Sequence, residues 1–328
     1  MKEHEIRPAD VFQEYLRLSA NDAAECFPKN DRHKVNCPAC NSSDLKHEFD
    51  KHGFDYVICN FCETLFLNPR PSEEAFDLFY KDSVSSRYWA EEFFPSIAEP
   101  RREKIFKPRV QKIRSLCNDL DFEPKVLMDV GAGYGIFLEE WRNAYPDTNI
   151  IGIEPSKQLA EECRRKNINI IESMVEDVDQ HENYSDLLVC FEVLEHVHTP
   201  KKFLNKVNQL IKPGGYILLS TLTISGFDIQ ILWENSDSIS PPHHINFFSI
   251  KGFEIIFEKC GFEDINIFTP GLLDVDIVKN TLDKDSSATI DNRFLEKIVS
   301  DEELSASFQN YLSENQLSSH AWIMAKKT

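Results

Sequence analysis

Residues 126–135, VLMDVGAGYG, constrain the fold of this chain more than any other segment. An apolar run ends at Asp129, three glycines follow, and an amphipathic stretch begins at Ile136. This order predicts a buried strand, a tight turn and the start of a helix. Glycines in such a turn let backbone N–H groups come close to a ligand that a Cβ would keep away. We therefore expect an α/β fold with a ligand-binding turn at the carboxyl end of a parallel strand.

The acidic residues around this turn indicate which ligand it binds. A second apolar run, residues 149–153, ends in Glu154, whose carboxylate is placed to accept hydrogen bonds from the two hydroxyls of a ribose. The dinucleotide fingerprint G-x-G-x-x-G is incomplete, because Ile136 stands where its third glycine belongs. Asp129 would also repel a pyrophosphate, whereas it suits the amino group and sulfonium of S-adenosylmethionine. The residues therefore favour S-adenosylmethionine as the cofactor.

Three segments in this order carry a resemblance to a known family. Residues 126–135 resemble motif I of the class I S-adenosylmethionine-dependent methyltransferases. Residues 186–197 (DLLVCFEVLEHV) resemble the fourth-strand motif of that superfamily, and residues 212–220 (KPGGYILLS) resemble the turn into its fifth strand. The resemblance implies a doubly wound α/β fold with a seven-stranded Rossmann-like sheet over residues 124–328. Its last strand, near residues 319–325, would insert antiparallel between the fifth and sixth strands.

The resemblance also implies a set of cofactor contacts. The turn and its flanking acids would hold the methionine and ribose parts, and residues after the third and fourth strands would lie near the adenine. The implied cofactor-binding residues are Asp129, Gly131, Ala132, Gly133, Glu154, Pro155, Val175, Glu176 and Phe191.

Candidate catalytic residues follow the fourth strand. Methyl transfer from a sulfonium is an in-line displacement that depends on alignment, and an oxygen or nitrogen nucleophile also needs a base. Glu192, Glu195 and His196 form an E-x2-E-H pattern that resembles the polyprenyl-hydroxybenzoate O-methyltransferases, in which the matching residues are associated with a divalent metal. The three side chains could hold such a metal or supply a base. Alternatively, Glu195 and His196 only cap and anchor the turn.

A second group of candidates follows the fifth strand. Residues 241–249 (PPHHINFFS) place two histidines after two prolines and ahead of a helix N-cap. A similar loop borders the substrate in methyltransferases that modify sugars and other small metabolites. We expect His243 to contact the substrate, and His196 and His244 to be the candidates for the base.

Four of the nine cysteines form two C-x2-C pairs separated by eighteen residues. This is a zinc-ribbon spacing, which predicts a ribbon over residues 36–70 after an N-terminal helix in residues 1–35. All four ligands would come from the protein, so the zinc would be structural. The alternative is a set of unrelated buried thiols, which we expect for the other five cysteines. The zinc ligands would be Cys37, Cys40, Cys59 and Cys62.

Helical segments are expected on both sides of the catalytic core. Residues 71–123 combine an aromatic stretch with a basic helix and form a linker or lid. The aromatics either pack between the ribbon and the core or cover the cofactor, in which case Tyr88 and Trp89 would stack on a sugar ring. Residues 269–317 are polar, acidic and helical in pattern, which predicts an insertion beside the substrate pocket.

Charge and hydropathy limit the classes of molecule that could accept the methyl group. With 36 basic and 55 acidic residues the net charge is −19, which disfavours a nucleic acid partner. No stretch is long and apolar enough for a membrane span, and the N-terminus has no apolar leader, so a cytoplasmic protein is expected. The architecture resembles C-methyltransferases of deoxysugar nucleotides, although the C-terminal part is much shorter. We expect a small, sugar-derived acceptor; a protein or RNA substrate recruited by the ribbon, and an inactive scaffold, are the alternatives.

Overall fold

The computed structural model describes residues 2–284 and 292–328, which form two β-sheets and the helices around them. Residues 285–291 of the expected insertion lie outside the described residues. The strands are β1 (Leu45–Lys51), β2 (Phe54–Cys59), β3 (Leu65–Leu67), β4 (Val126–Val130), β5 (Asn149–Ile153), β6 (Asn169–Ile171), β7 (Ser185–Phe191), β8 (Ile211–Leu222), β9 (Asn246–Phe247), β10 (Phe262–Phe268) and β11 (His320–Lys327). The helices are α1 (Ala9–Cys26), α2 (Glu73–Asp82), α3 (Val84–Tyr88), α4 (Phe94–Arg101), α5 (Lys107–Asp119), α6 (Ile136–Ala144), α7 (Lys157–Arg165), α8 (Pro200–Leu210), α9 (Phe227–Leu232), α10 (Ile250–Lys259), α11 (Asp274–Lys284), α12 (Arg293–Ser300) and α13 (Glu302–Glu314).

The larger sheet confirms the expected fold class. Its seven strands run in the order β10-β11-β8-β7-β4-β5-β6. Neighbouring strands from β8 to β6 are parallel, and β11 inserts antiparallel between β8 and β10. The central strands β4 and β7 are apolar along most of their length because helices cover both faces of the sheet. The fold is therefore the doubly wound, Rossmann-like one that the motifs predict.

The smaller sheet carries the cysteine pairs and draws on two distant parts of the chain. Its order is β1-β2-β3-β9, and β9 comes from the loop between the fifth parallel strand and α10. Leu65 lies opposite Phe247, and Phe66 lies opposite Asn246. Because β9 directly follows the two histidines of residues 241–249, the ribbon sheet and that loop are parts of one structure.

The ribbon also packs on the first turn of α10. Ser249, the N-cap of this helix, donates to the carbonyl of Cys62, and the amine of Lys251 donates to the carbonyl of Phe61 at 2.6 Å. At Gly252 an added Cβ would lie 2.4 Å from the hydroxyl oxygen of Thr64, a fully buried residue. The absence of a side chain at Gly252 therefore lets the ribbon approach the catalytic part closely.

The N-terminal helices lie over the glycine turn. Helices α3, α4 and α5 follow one another with only two π-helical turns between them, Trp89–Phe93 and Arg102–Phe106. The ring of Phe94 stacks on Tyr134 of the turn, with centroids 4.6 Å apart and planes 3° apart. The Tyr134 hydroxyl donates to the carbonyl of Ala90. This segment, which we call the lid (residues 84–119), is thus fastened to the turn itself.

The C-terminal insertion fixes the start of β11. The carboxylate of Asp274, at the start of α11, accepts a hydrogen bond from the Ser318 hydroxyl at 2.6 Å and from the Ser319 backbone N–H at 2.7 Å. Gln309 of α13 donates to the same carboxylate at 2.7 Å. These bonds hold the residues just before His320. Within residues 2–284 and 292–328, no helix has the length and apolar character that a bilayer crossing requires.

A substitution at Gly252 tests the docking of the ribbon. Gly252→Ala would push a methyl group into Thr64, so we expect a loss of about 1–3 kcal/mol of stability from overpacking. Denaturant unfolding of the full chain measures this loss. Glu254→Ala, on an exposed position of the same helix, is the matched control and should change stability little. Equal stability of both variants would contradict the close approach.

Candidate active site

The glycine turn and its two acids lie together at the carboxyl ends of β4 and β5. Asp129 in β4 lies opposite Gly152, one residue before the end of β5, and Glu154 follows that end directly. Three glycines of the turn have positive φ, and a Cβ on Gly131 would lie 2.7 Å from a methyl group of Val193. Only glycine fits such a position without displacing its neighbour. The sequence-predicted turn is therefore formed, with both acids beside it.

Both acids are buried, and burial governs their ionisation. Glu154 accepts hydrogen bonds from the backbone N–H of Gly133 at 2.8 Å and of Ser156 at 2.9 Å. Burial raises the pKa of Glu154 in spite of these two bonds. Burial also raises the pKa of Asp129 well above its usual value, and only the nearby charge of Arg109 opposes this. Two buried carboxyl groups of this kind suit a ligand that offers hydroxyl donors and positive charge.

The residues implied for the adenine occupy different surroundings. Val175 and Glu176 belong to the short helical turn Val175–Asp177, and Val175 packs into the core on the α8 and α10 side of the sheet. Phe191 ends β7 and packs into the other core cluster, with its ring 4.9 Å from that of Phe137. Pro155 is exposed directly after Glu154. The structure thus groups Val175 and Glu176 near one another but puts Phe191 with the lid.

The pKa values of the two carboxyl groups in the E-x2-E-H pattern shift in opposite directions. Burial, followed by the charge on Glu192, raises the pKa of Glu195 well above its usual range. For Glu192 burial also acts to raise the pKa, but His320 and Arg109 outweigh it and hold the value well below its usual range. Neighbouring carboxyls whose environments separate their pKa values in this way are typical of acid–base sites. The surroundings therefore favour the ionised form of Glu192 and the protonated form of Glu195.

The histidines of the two predicted loops meet, but Glu192 lies apart from them. The rings of His196 and His244 are 4.8 Å apart. Ligand atoms of Glu195, His196 and His244 all lie within 4.8 Å of one another, a spacing that a metal ion could bridge. The sequence expected Glu192 in that group, and the structure brings in His244 instead, because the loop containing His244 folds back over residues 194–197.

Burial makes the predicted bases weak ones. It lowers the pKa of His196 to about 3 and that of His244 to about 4. The Nδ1 of His244 lies 2.6 Å from the carbonyl oxygen of Ser238, so it must donate to that oxygen. The Tyr80 hydroxyl lies 3.3 Å from the Nδ1 of His196. Both rings are therefore neutral, hydrogen-bonded groups at physiological pH.

Of the three residues expected at the substrate, Tyr88 and Trp89 belong to the lid and His243 packs against it. His243 is buried, with its Nε2 3.3 Å from the Ser85 hydroxyl and its ring 5.3 Å from that of Tyr15. Trp89 stacks on Phe93 at 4.4 Å, and Tyr88 joins the same cluster with helix α1. Tyr88 and Trp89 thus pack on α1 rather than between the ribbon and the core, and stacking of either ring on a substrate stays a prediction.

Two buried arginines and a histidine are the site residues that sequence reasoning missed. Arg109 lies over the ring of Phe191 at 4.2 Å, and its guanidinium is 3.7 Å from Glu192. Burial lowers the pKa of Arg101 to about 10, and Arg7 and Arg109 add to this. The Nε atoms of Arg101 and Arg109 have no hydrogen-bond partner among the described residues. His320 lies beside Glu192. The only sequence signal for the arginines was the basic character of their helix.

The four patterned cysteines form one cluster. The sulfur atoms of Cys37 and Cys62 are 3.4 Å apart, and those of Cys40 and Cys59 are 3.5 Å apart. All four sulfur atoms lie within 4.8 Å of one another. Tetrahedral zinc with Zn–S bonds of about 2.3 Å separates its sulfur ligands by about 3.8 Å. The cluster therefore has the size and the ligand set that a structural zinc ion needs.

Comparison with known proteins agrees with this geometry. A family model described as a methyltransferase domain matches residues 101–267, half of the chain. The mitochondrial ubiquinone biosynthesis O-methyltransferase of Dictyostelium discoideum is 30% identical over 137 residues, which are 37% of this chain and 41% of that protein. The ubiquinone biosynthesis O-methyltransferase of Erwinia tasmaniensis is 32% identical over 150 residues, or 43% and 58% of the two chains. The matches thus span about half the length of these curated relatives.

A solved structure extends the comparison to the fold. The plantazolicin methyltransferase BpumL in complex with SAH is similar with a TM-score of 0.51 and 13% identity, over 77% of this chain and 93% of that one. This likeness concerns the fold alone. The match of the family model over residues 101–267 shows that the chain belongs to the methyltransferase-domain family.

Proposed function

We propose that the protein is an S-adenosylmethionine-dependent methyltransferase that methylates a hydroxyl group of a small polar molecule. One observation carries the proposal: Asp129, near the end of β4, and Glu154, directly after β5, lie beside a glycine turn that the lid covers. Membership of the methyltransferase-domain family supports the reaction class. The O-methyl chemistry is supported by the names of the curated relatives.

The buried charges fit the parts of S-adenosylmethionine. Glu154 would accept hydrogen bonds from the ribose hydroxyls, and Asp129 would face the amino group and sulfonium. The Nε atoms of Arg101 and Arg109, which have no hydrogen-bond partner among the described residues, suit the carboxylate of the methionine part, because a buried donor without an acceptor is costly until one binds. Val175 and Glu176 remain the proposed adenine neighbours. When bound, the cofactor supplies an electrophilic methyl group, and the protein aligns the acceptor with it.

The enclosed site favours a small acceptor over a protein or RNA. Rings of the lid and of α1 close over the histidine loop, as the contact of Tyr15 with His243 illustrates. Polar groups from Tyr80, His196 and His244 face one another beneath them. A sugar-derived hydroxyl compound suits these hydrogen-bonding groups. The relatives' names favour a second class, a precursor in quinone synthesis.

A divalent metal at Glu195, His196 and His244 is a further part of the proposal. Glu195 would have to lose its proton to bind the ion, and the charge of a bound cation itself lowers the pKa of a neighbouring carboxyl. The anchoring role remains the alternative, because the Glu195 carbonyl accepts from the N–H of Ile245 at 2.8 Å. The Glu195 side chain also accepts from the Thr221 hydroxyl at 2.7 Å, so the residue can hold this turn whether or not an ion binds.

A labelling experiment tests the acceptor. The protein is incubated with S-adenosylmethionine labelled in its methyl group and with separate small-molecule, protein and RNA fractions of a cell extract. We expect label in the small-molecule fraction that resists mild alkali, as a methyl ether does and a methyl ester does not. Label in nucleotide sugars supports the sugar-derived class, and label in aromatic hydroxyl compounds supports the quinone-precursor class. Label confined to protein or RNA would reverse the proposal in favour of a recruited macromolecule.

Calorimetry with S-adenosylhomocysteine tests the ribose contact. Glu154→Ala removes two charge-assisted hydrogen bonds to the ribose, each worth roughly 1.5–3 kcal/mol, so affinity should fall at least about tenfold. Glu154 also accepts hydrogen bonds from the N–H groups of Gly133 and Ser156. Glu154→Gln keeps the size and a hydrogen-bond acceptor, so its affinity for S-adenosylhomocysteine should fall less than that of Glu154→Ala. Glu161→Ala, on the exposed side of α7, is the matched control. Unchanged affinity in Glu154→Ala would remove the ribose assignment.

Elemental analysis tests the structural zinc. We expect about one zinc per chain, held by four thiolates, because the cluster has four protein ligands and no open position. Cys59→Ser should lose the metal and lower the unfolding temperature, since metal binding is part of the folding free energy of such a module. Cys26→Ser, outside the cluster, should retain the metal. A wild-type protein isolated without stoichiometric metal would contradict the zinc assignment.

A further inference from the structure

His320 is placed at the carboxyl edge of the sheet by the antiparallel insertion of β11. It is the first residue of that strand and lies opposite Leu222, the last residue of β8. Its Nε2 is 3.0 Å from an Oε1 oxygen of Glu192, and about a third of its side chain is exposed (32%). Within residues 2–284 and 292–328, no protein group is hydrogen-bonded to its Nδ1. One ring nitrogen is thus held by a carboxylate and the other is available.

Glu192 is arranged to remain an anion. The Ser220 hydroxyl donates to the same Oε1, and the Arg109 guanidinium lies 3.7 Å from it. The backbone of Glu192 has φ +56°, a left-handed conformation that is strained for a residue with a side chain, and its N–H donates to the carbonyl of Ser220 at 2.8 Å. Strain of this kind is maintained only where the surroundings enforce it, and it concentrates at functional sites.

The Glu192–His320 pair lies next to the glycine turn. Glu192 directly follows β7, and β7 pairs with β4, the strand that carries Asp129. The charges of Glu192 and Asp129 both act to raise the pKa of Arg109, which burial lowers. The three groups therefore lie close enough to share one environment under the lid. A hydroxyl acceptor aligned with the methyl group therefore comes to the same edge of the sheet at which His320 begins its strand.

His320 differs from the other histidines of the site in its exposure and in its carboxylate partner. Burial keeps His196, His243 and His244 neutral and lowers their pKa values, so they accept a proton poorly at neutral pH. His320 is open to solvent on one side and has an ionised carboxylate as its partner. A carboxylate bound to one imidazole nitrogen fixes the tautomer and stabilises the imidazolium that forms when the other nitrogen accepts a proton.

We infer that His320 is the general base of the methyl transfer and that Glu192 holds it in position, an inference that rests on the proposed function. The hydroxyl oxygen of the acceptor forms a bond to the methyl carbon while the bond from that carbon to sulfur breaks. The electron pair of the broken bond stays on sulfur, which becomes the neutral thioether of S-adenosylhomocysteine. The hydroxyl proton passes to the Nδ1 of His320, and water removes it after the product leaves.

Kinetics of two histidine variants test this role in the full-length protein. With labelled S-adenosylmethionine and the small-molecule extract fraction as the acceptor probe, His320→Gln should lower kcat about 100-fold or more. The rise of kcat/KM with pH should disappear in this variant, while S-adenosylhomocysteine affinity stays within about threefold. Glu192→Gln should give a smaller loss, because it keeps the size but removes the charge. His47→Gln is the matched control, since His47 is an exposed histidine 3.6 Å from a carboxylate, that of Asp55, on the ribbon.

The tautomer of His320 gives a second readout that needs no acceptor. Nitrogen NMR of histidine-labelled protein, with His320 assigned by its absence in His320→Gln, should show that the neutral ring carries its proton on Nε2 and not on Nδ1. The opposite tautomer overturns the inference. So does a His320→Gln variant with wild-type kcat and pH profile, or one whose only defect is cofactor affinity. If wild-type protein labels no fraction, the proposed function fails and this inference fails with it; if wild type and His320→Gln are equally active, only the inference fails.

Discussion

The parallel pairing of β4 with β5 on one side and β7 on the other determines where every polar group of the site lies. Asp129 aligns with Gly152 and with Val189, so the residues that follow these strands emerge at one edge of the sheet. A shift of one residue in either register would turn Asp129 away from its neighbours. The glycine turn and Glu154 depend on this pairing, because the carbonyl of Ile153 accepts the N–H groups of Gly131 and Ala132.

The lid brings positive charge into a molecule whose net charge is negative. The chain carries a net charge of −19, yet the lid inserts two arginines that are largely buried and lack partners at Nε. Burial lowers the pKa values of both guanidinium groups, so each is held at a cost in the ligand-free protein. An anion bound at these groups would offset that cost.

Local patterns made the turn and the cysteine cluster predictable, and the family resemblance did the same for the sheet order. The glycine turn and the two C-x2-C pairs are short motifs whose spacing already implies their geometry. His320, Arg101 and Arg109 could not be found in that way, because their roles depend on side-chain partners that are distant in sequence: His320 meets Glu192, and Arg109 lies over Phe191. The two-residue strand β9 is too short for any periodicity to reveal. The E-x2-E-H pattern was recognisable, but the opposite pKa shifts of its two glutamates depend on which one lies beside His320.

The ribbon supports the active-site loop, which explains why a methyltransferase core carries it. The Tyr56 hydroxyl donates to the carbonyl of His244 at 2.6 Å, and the N–H of Leu67 donates to the carbonyl of Ile245 at 3.0 Å. Both donors belong to strands β2 and β3, whose ends carry or adjoin the second cysteine pair. A metal that fixes this pair would fix the two strands, and through β9 it would fix the loop that positions His244 beside His196.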